Sequence, residues 1–403
     1  MSAPTERLSR LPGGLRLPPN KSMSTASAIT DVAVPPRLKL PLRQHAGSTA
    51  EPIVTAGQRV LKGELLATGG GPVSAGVHAS TSGVVTSIEP LPMPARGEPI
   101  VATIVLEADG EDTPAPELEA VSDPLSLDTA EFLERIEAGG IVGLGGAAYP
   151  TAQKITHAFG GGVRALLLNG VECESYISCD DRLMREHAAE VLRGAVLLLH
   201  GLAAPRAIVA VESDKPQAMA ALKEAAAALA DERIELVEVP TVYPSGGEDQ
   251  LVLLLSGREV PSGGLPSDVG YLVQNVGTAY AVARLIDAGE PLISRVVTVT
   301  GEGIERPGTY RIRFGTPIAD VVAAAGGYND RAKRLLMGGP MTGIALTDDA
   351  LPVVKAMNCL LVTGAAVHLS AEPERPCIRC GECALHCPVQ LLPQRLHREA
   401  TRN

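Results

Sequence analysis

Four cysteines stand within eleven residues near the end of this 403-residue sequence, as Cys377-x2-Cys380-x2-Cys383-x3-Cys387, followed at once by Pro388. That is the ligand spacing of a cubane [4Fe–4S] cluster. Three thiolates on one tight loop reach three corners of a cubane, while the fourth, on a helical turn held by the proline, points toward a second cluster. Zinc competes for closely spaced cysteines, but its sites usually come as two separated pairs. A two-cluster module needs a second such run, and the sequence ends sixteen residues after Cys387. The expectation is a truncated chain; loss of the second cluster is the alternative. None of Cys173, Cys179 and Cys359 has a neighbour at ligand spacing. All three read as packing residues, Cys359 because its surroundings, Asn358-Cys359-Leu360-Leu361-Val362, are apolar.

A second candidate is the run Gly143-Leu144-Gly145-Gly146-Ala147-Ala148-Tyr149-Pro150-Thr151-Ala152-Gln153-Lys154. Glycine lets backbone amides approach a phosphate, a helix N-terminus adds partial positive charge, and Lys154 adds a full one. Turns also need glycine for conformational reasons, and the dinucleotide spacing G-x-G-x-x-G is not met. Further polar clusters follow expected strands: Asn169-Gly170-Val171-Glu172-Cys173-Glu174, Tyr243-Pro244-Ser245-Gly246-Gly247-Glu248-Asp249-Gln250, and Gln274-Asn275-Val276-Gly277-Thr278. Carboxyl ends of parallel strands are where open α/β sheets bind ligands, so these clusters are expected to converge on one edge.

The elements that position these residues divide the chain into five. Residues 1–35 are rich in Pro, Ser and Thr and read as an extended arm. Residues 36–108 carry short apolar runs broken by Gly and Pro, which indicates a small all-β unit. After an acidic linker, residues 125–290 alternate strand-like runs (Ile141-Val142-Gly143-Leu144, 165–168, 207–211, 234–237) with helical patterns at 181–202 and 216–231. This alternation implies a parallel sheet with helices on its faces. A second β-rich unit occupies 291–369, with a short helix at 317–325, and the cysteine segment fills 373–403.

Bulk composition excludes some functions. A net charge of −11, 2% aromatic residues and no Trp argue against a nucleic-acid partner, which needs excess cations and stacking surfaces. No apolar window is long enough to span a bilayer; the longest, 191–202, is broken by Arg193 and His200 and reads as a buried helix. Residues 1–20 have no apolar h-region, so no secretory signal is expected and membrane association is expected to come through a partner. The clustered cysteines fit a reducing compartment.

Taken together, these segments resemble the C subunit of the Rnf electron-transport complex and, more distantly, the flavin- and NADH-binding subunit of respiratory complex I. The resemblance runs from Gly13-Gly14 to the cysteine run. Its most specific pieces are 143–151, 243–248, Gln274-Asn275-Val276-Gly277-Thr278-Ala279-Tyr280 and Met337-Gly338-Gly339-Pro340-Met341. It implies a Rossmann-like flavin domain, a biotinyl/lipoyl-like barrel sandwich before it, a soluble-ligand-binding β-grasp (SLBB-like) domain after it, and a ferredoxin-type segment. It implies a flavin mononucleotide (FMN) site built from Gly143, Gly145, Gly146, Lys154, Asn169, Glu172, Tyr243, Gly246, Glu248, Asn275 and Thr278, working with NAD(H) and [4Fe–4S] cluster(s) on Cys377, Cys380, Cys383 and Cys387. It further implies other Rnf-type subunits, including integral membrane ones, a ferredoxin-like electron carrier, and a peripheral position on the cytoplasmic face of the inner membrane.

Three features depart from the family pattern. Where the family loop reads Gly-Ala-Gly-Phe-Pro, this chain has Gly146-Ala147-Ala148-Tyr149-Pro150, whose Ala148 methyl would crowd a cofactor lying against that backbone. No Lys stands where a biotinyl or lipoyl carrier is modified, so the barrel sandwich is expected to be structural. The second ferredoxin run and the long charged tail are absent from the sequence. In the mechanism this suggests, the glycine loop and Lys154 hold the flavin phosphate. Glu172 and Glu248 line the nicotinamide or isoalloxazine side as the catalytic pair. Two alternatives stand beside it: a non-catalytic iron–sulfur scaffold with a decayed flavin site, and a small-ligand module acting through the β-grasp domain.

Overall fold

The computed structural model describes residues 8–116, 120–159, 161–364 and 375–402. The first residues of the expected arm, the end of the expected β-grasp stretch and residues 373–374 lie outside them.

The element that positions the polar clusters is a four-stranded sheet with every neighbour parallel, in the order Ile234–Val239, Ala207–Glu212, Ala165–Gly170, Tyr271–Asn275. Its strands are apolar on both faces, as a sheet covered on both sides requires. Leu166, Leu168, Val209, Val211 and Leu272 point to one core, while Ala165, Leu167, Ile208, Ala210, Tyr271 and Val273 point to a second, smaller one. The first face carries Ala188–Leu202, Pro216–Leu229 and Val276–Ala288; the second packs on Glu248–Ser256, with Leu11 of the arm against it. Successive strands step from Ala165–Gly170 to one side, and the last, Tyr271–Asn275, returns to its other side. The order therefore reverses between Ala165–Gly170 and Tyr271–Asn275, and a crevice forms outside the carboxyl ends at such a switch point. Asn169 and Asn275 are register partners there.

Two local expectations fail. The run 141–144 is not a strand of the sheet. Its backbone closes a loop on itself, with Gly143 N–H donating to Tyr149 C=O (2.8 Å) and Thr151 N–H donating to Ile141 C=O (3.0 Å). The pattern at 181–202 is two helices, Cys179–Glu186 and Ala188–Leu202, interrupted at His187 by a non-helical backbone (φ −130°, ψ 34°). The apolar run beyond Arg193 is a buried helix.

The first β unit pairs a four-stranded sheet (Arg37–Pro41, Ile100–Ala108, Gly83–Pro92, Arg59–Val60) with a three-stranded one (Glu51–Pro52, Leu65–Thr68, Val77–His78). The second is a six-stranded mixed sheet built from Gly308–Arg313, Ser294–Thr300, Cys359–Thr363, Arg334–Met337 and Ile344–Leu346. Its edge strand, Thr30–Asp31, comes from the arm and pairs parallel with Tyr310 and Arg311. Among the described residues no helix is long and apolar enough to cross a membrane.

Candidate functional site at the carboxyl edge of the parallel sheet

A cavity of about 480 Å³ opens at the switch point, within the range of small-molecule sites. Gly145 and Gly146 form one wall, Asn169, Glu172, Asp180 and Asn275 stand at the strand ends, and Tyr243 and Gly246 close a side. The remaining wall, with Gly338 and Thr342, comes from the second β unit.

The glycine loop is pinned from behind. Leu144 N–H donates to Thr278 Oγ1 (2.9 Å), and Leu144 C=O accepts from the buried Arg295 guanidinium (2.8 Å). Gly146 has φ +117°, and a Cβ built on it would meet nothing within 4 Å, so this backbone presents a bare face to the cavity. Ala148 has φ +47°, a left-handed conformation that costs about 1–2 kcal/mol for a residue bearing a Cβ. It is 3% exposed within the core, and its C=O accepts from Ala46 N–H of the barrel sandwich (3.1 Å). It is not among the residues that line the cavity.

The strand-end side chains are held by specific bonds. Asn169 Nδ2 donates to Gly246 C=O (2.8 Å), and its Oδ1 accepts from Val171 N–H (3.1 Å). Asn275 caps the helix Val276–Ala288 by accepting from Gly277 N–H (2.8 Å), and its Nδ2 donates to Asp180 Oδ2 (2.7 Å). Glu172 (φ +50°) accepts from the N–H groups of Asp180 (2.8 Å) and Asp181 (3.3 Å), the first turn of Cys179–Glu186. Burial pushes its carboxyl up to about 7 and raises Asp180 also. Cys173 lines the cavity, and burial pushes its thiol up to about 11, so it is protonated at neutral pH. Glu172, Asp180 and Cys179 offer atoms within 4.8 Å of one another, but both oxygens of Glu172 already serve amides and burial holds the Cys179 thiol protonated.

Seven predicted residues therefore line one cavity: Gly145, Gly146, Asn169, Glu172, Tyr243, Gly246 and Asn275. Four do not. Gly143 closes the base of its loop, and Thr278 acts through Leu144. Lys154 and Glu248 pair with each other (2.5 Å), beside the lining residue Gly247. No Lys or Arg is among the described lining residues; helices begin beside the cavity at Gly247, whose N–H donates to Pro244 C=O (2.8 Å), and at Asn275.

Sequence reasoning missed two contributors. Glu174 reaches across to the second β unit. Its Oε1 accepts from Met341 N–H (2.7 Å) and Thr342 N–H (2.9 Å), and its Oε2 accepts from the Thr342 hydroxyl (2.6 Å). Lys21 of the arm donates to Glu172 C=O and lies 3.8 Å from Asp214. It joins a buried set in which Lys215 pairs with Glu212 (3.1 Å) and Asp214 (2.8 Å). A lone lysine in a proline-rich arm gives no local signal of this role.

In the cysteine segment, Cys377, Cys380 and Cys383 are exposed and Cys387 is half-buried. Arg379 (φ +58°) and Gly381 (φ +80°) bend the loop, which leads into the helices Glu382–Leu385 and Pro393–Ala400. Leu391 N–H donates to Cys387 Sγ (3.3 Å), and N–H···S bonds of this kind tune iron–sulfur potentials. Cys359 is fully buried on its strand.

Comparison with known proteins agrees with this architecture. Residues 136–284 match the Nuo51 FMN-binding domain, residues 9–111 the RnfC barrel sandwich hybrid domain, and residues 296–345 the SLBB domain. The C subunit of the ion-translocating oxidoreductase complex of Pseudomonas aeruginosa is 48% identical over 97% of this chain and 50% of its own length. That of Rhodobacter capsulatus is 42% identical over 96% of this chain and 74% of its own. The chain thus spans about half the length of the first relative and three quarters of the second. A chain in the crystal structure of an NAD+-reducing [NiFe]-hydrogenase in the H2-reduced state has a TM-score of 0.51 and 25% identity, covering 60% of this chain and 47% of that one. The chain belongs to the family of the C subunits of ion-translocating oxidoreductase complexes.

Proposed function

We propose that this chain is an electron-transfer subunit of a membrane-associated Rnf-type complex, moving electrons between NAD(H), a bound FMN and [4Fe–4S] cluster(s). The observation that carries the reading is the bare Gly145-Gly146 wall facing a cavity at the switch point of a parallel sheet. The match of this domain to an FMN-binding family supports it. So does the likeness to a chain from an enzyme described as NAD+-reducing.

Bound flavin accepts a hydride and releases electrons singly, which suits a chain that also carries a cluster. The protein's part is placement. The Gly145-Gly146 backbone and the helix starts at Gly247 and Asn275 would hold the flavin in the cavity. Asn169 and Asn275 hold the strand ends in register, while Glu172 and Glu174 lock the surrounding loops. Glu172, poised near neutrality by burial, holds or releases a proton at its carboxyl on the nicotinamide or isoalloxazine side. Lys154 and Glu248 act as an ion pair at the rim. Cys377, Cys380, Cys383 and Cys387 supply thiolates for the cluster. Residues 36–108, 125–290, 291–369 and 373–403 form the barrel-sandwich, flavin, β-grasp and ferredoxin-type parts behind the arm 1–35. Partners are other Rnf-type subunits, integral membrane ones included, and a ferredoxin-like carrier, at the cytoplasmic face of the inner membrane.

The scaffold alternative leans on Ala148, whose methyl lies in the core outside the cavity lining. The test is flavin extraction from the anaerobically purified chain and from Gly146→Val, which puts a branched side chain on the cavity wall. Wild type should yield FMN and the variant should yield little. Flavin-free wild type with intact iron would make the chain a scaffold.

A further inference from the structure

We infer that Gly13-Gly14-Leu15 of the arm is a positioning strap that fixes the Cys387 end of the cysteine run against the Tyr243 wall of the cavity. It thereby sets the separation an electron crosses between the two sites. The inference rests on the flavin and cluster reading above and adds a role for residues that reading leaves idle.

Consecutive residues of the strap touch the two sites, one each. Gly14 N–H donates to the C=O of His386, the residue before Cys387 (2.9 Å). Leu15 N–H donates to Tyr243 C=O (2.8 Å), and Tyr243 N–H donates back to Leu15 C=O (2.8 Å), an antiparallel bridge of two bonds. Tyr243 lines the cavity. A continuous path thus runs from the Cys387 turn through one hydrogen bond, one peptide unit and a paired bridge to the cavity wall.

The residue types at 13 and 14 are dictated by this path. Gly13 (φ +73°) and Gly14 (φ +93°) are in a conformation that L side chains rarely adopt. A Cβ on Gly13 would lie 2.7 Å from the carbonyl carbon and oxygen of His386 and 3.0 Å from the carbonyl carbon of Cys387, all backbone, so no rotamer relieves it. A Cβ on Gly14 would lie 2.4 Å from Val242 Cγ1, a side chain that can be shortened, and 3.1 Å from the Tyr243 carbonyl oxygen, so relief there is only partial. The strap is tied on both sides: Ser9 N–H donates to Leu254 C=O (2.8 Å), and Pro18 C=O accepts from the Ser175 hydroxyl (2.7 Å). The cysteine segment needs such a hold, because neither of its helices buries a residue.

The strap carries no chemistry of its own. With both cofactors bound, the flavin would supply the two electrons of a hydride one at a time to the cluster, which a ferredoxin-like carrier would re-oxidise after each; the strap's part is to fix the distance between the residues that hold them. A longer or interrupted path slows this transfer without altering either cofactor.

The test uses the full chain, anaerobically purified with iron and flavin, as wild type, Gly13→Ala, Gly14→Ala and Gly14→Ala/Val242→Ala. Readouts are iron and flavin content, the cluster's EPR signal after dithionite, its rate of reduction by NADH, and amide exchange at Leu15 and Tyr243. Gly13→Ala should keep iron, flavin and the dithionite signal, yet slow NADH-driven cluster reduction at least tenfold and expose both amides. Gly14→Ala should show a similar defect that the Val242→Ala background partly restores. Unchanged exchange and cluster reduction in both single variants would overturn the strap. Wild type lacking flavin or iron would overturn the functional reading, and exchange at Leu15 and Tyr243 would then decide the strap's geometry by itself.

Discussion

Glu174 in the cavity wall is 8% exposed and accepts three hydrogen bonds, while Ile378 between the first two cysteines is 85% exposed and Leu385 is 70% exposed. The cavity is assembled by the fold: glycine backbone, strand ends and a loop from another sheet meet there because two apolar cores place them. The cysteine segment has no buried residue in either helix, so its order must come from what its thiols bind and from the arm. One region is pre-organised before any ligand arrives. In the other, on the proposed function, the energy of cluster binding would be folding energy, as in small metallo-domains.

Several experiments sharpen that contrast, and the largest effect should follow removal of iron. Chelation should abolish amide-exchange protection across 375–402 and leave the cavity residues protected. Uniform loss of protection would mean the regions are not separately built. Next, Cys383→Ser should remove most of the iron while leaving flavin content unchanged, read by iron assay and flavin extraction on one sample. A loss of both would tie the cluster to cavity integrity.

Asn275→Ala removes the cap on Val276–Ala288 and the donor to Asp180 together. A lost cap costs about 0.5–2 kcal/mol, and the part-buried Asp180 carboxylate left without its donor adds to it. The denaturation midpoint and retained flavin should both fall, with iron unaffected. Glu172 supplies a pH dependence. Burial raises it from 4.5 to about 7, so the folded chain holds this proton more tightly than the unfolded one. Its contribution is full below the unfolded value and is lost as pH rises through about 7. Wild type should therefore lose stability relative to Glu172→Gln across that window and run parallel to it above, in denaturant titrations at stepped pH. The smallest effect is expected from Lys154→Ala. Its pair with Glu248 is part-exposed and worth about 0.2–1 kcal/mol, so flavin retention should change less than tenfold. A larger loss would place Lys154 directly on the phosphate.

What the sequence made legible follows the same division. The cysteine spacing and the glycine loop are short-range patterns, read without knowing the fold. The parallel sheet was legible from alternating strand and helix runs, and the polar strand ends followed from it. The run 141–144 misled because an apolar β-branched stretch looks alike whether it joins a sheet or closes a loop; here Gly143 N–H donates to Tyr149 C=O and Ile141 C=O accepts from Thr151 N–H. The helix break at His187 left no Pro or Gly to mark it. Least legible were contacts between distant segments: Lys21 on Glu172, Glu174 on Thr342, and Leu15 on Tyr243. Each depends on how whole units dock, which neither periodicity nor spacing encodes.

The most direct test of the account is an anaerobic NADH titration of the intact chain, with flavin absorbance and cluster EPR followed on one sample. The account predicts bound FMN, about four irons per chain or fewer, flavin bleaching by NADH, and a cluster signal that appears as the flavin is reduced. Iron with no flavin, or flavin indifferent to NADH, would contradict it.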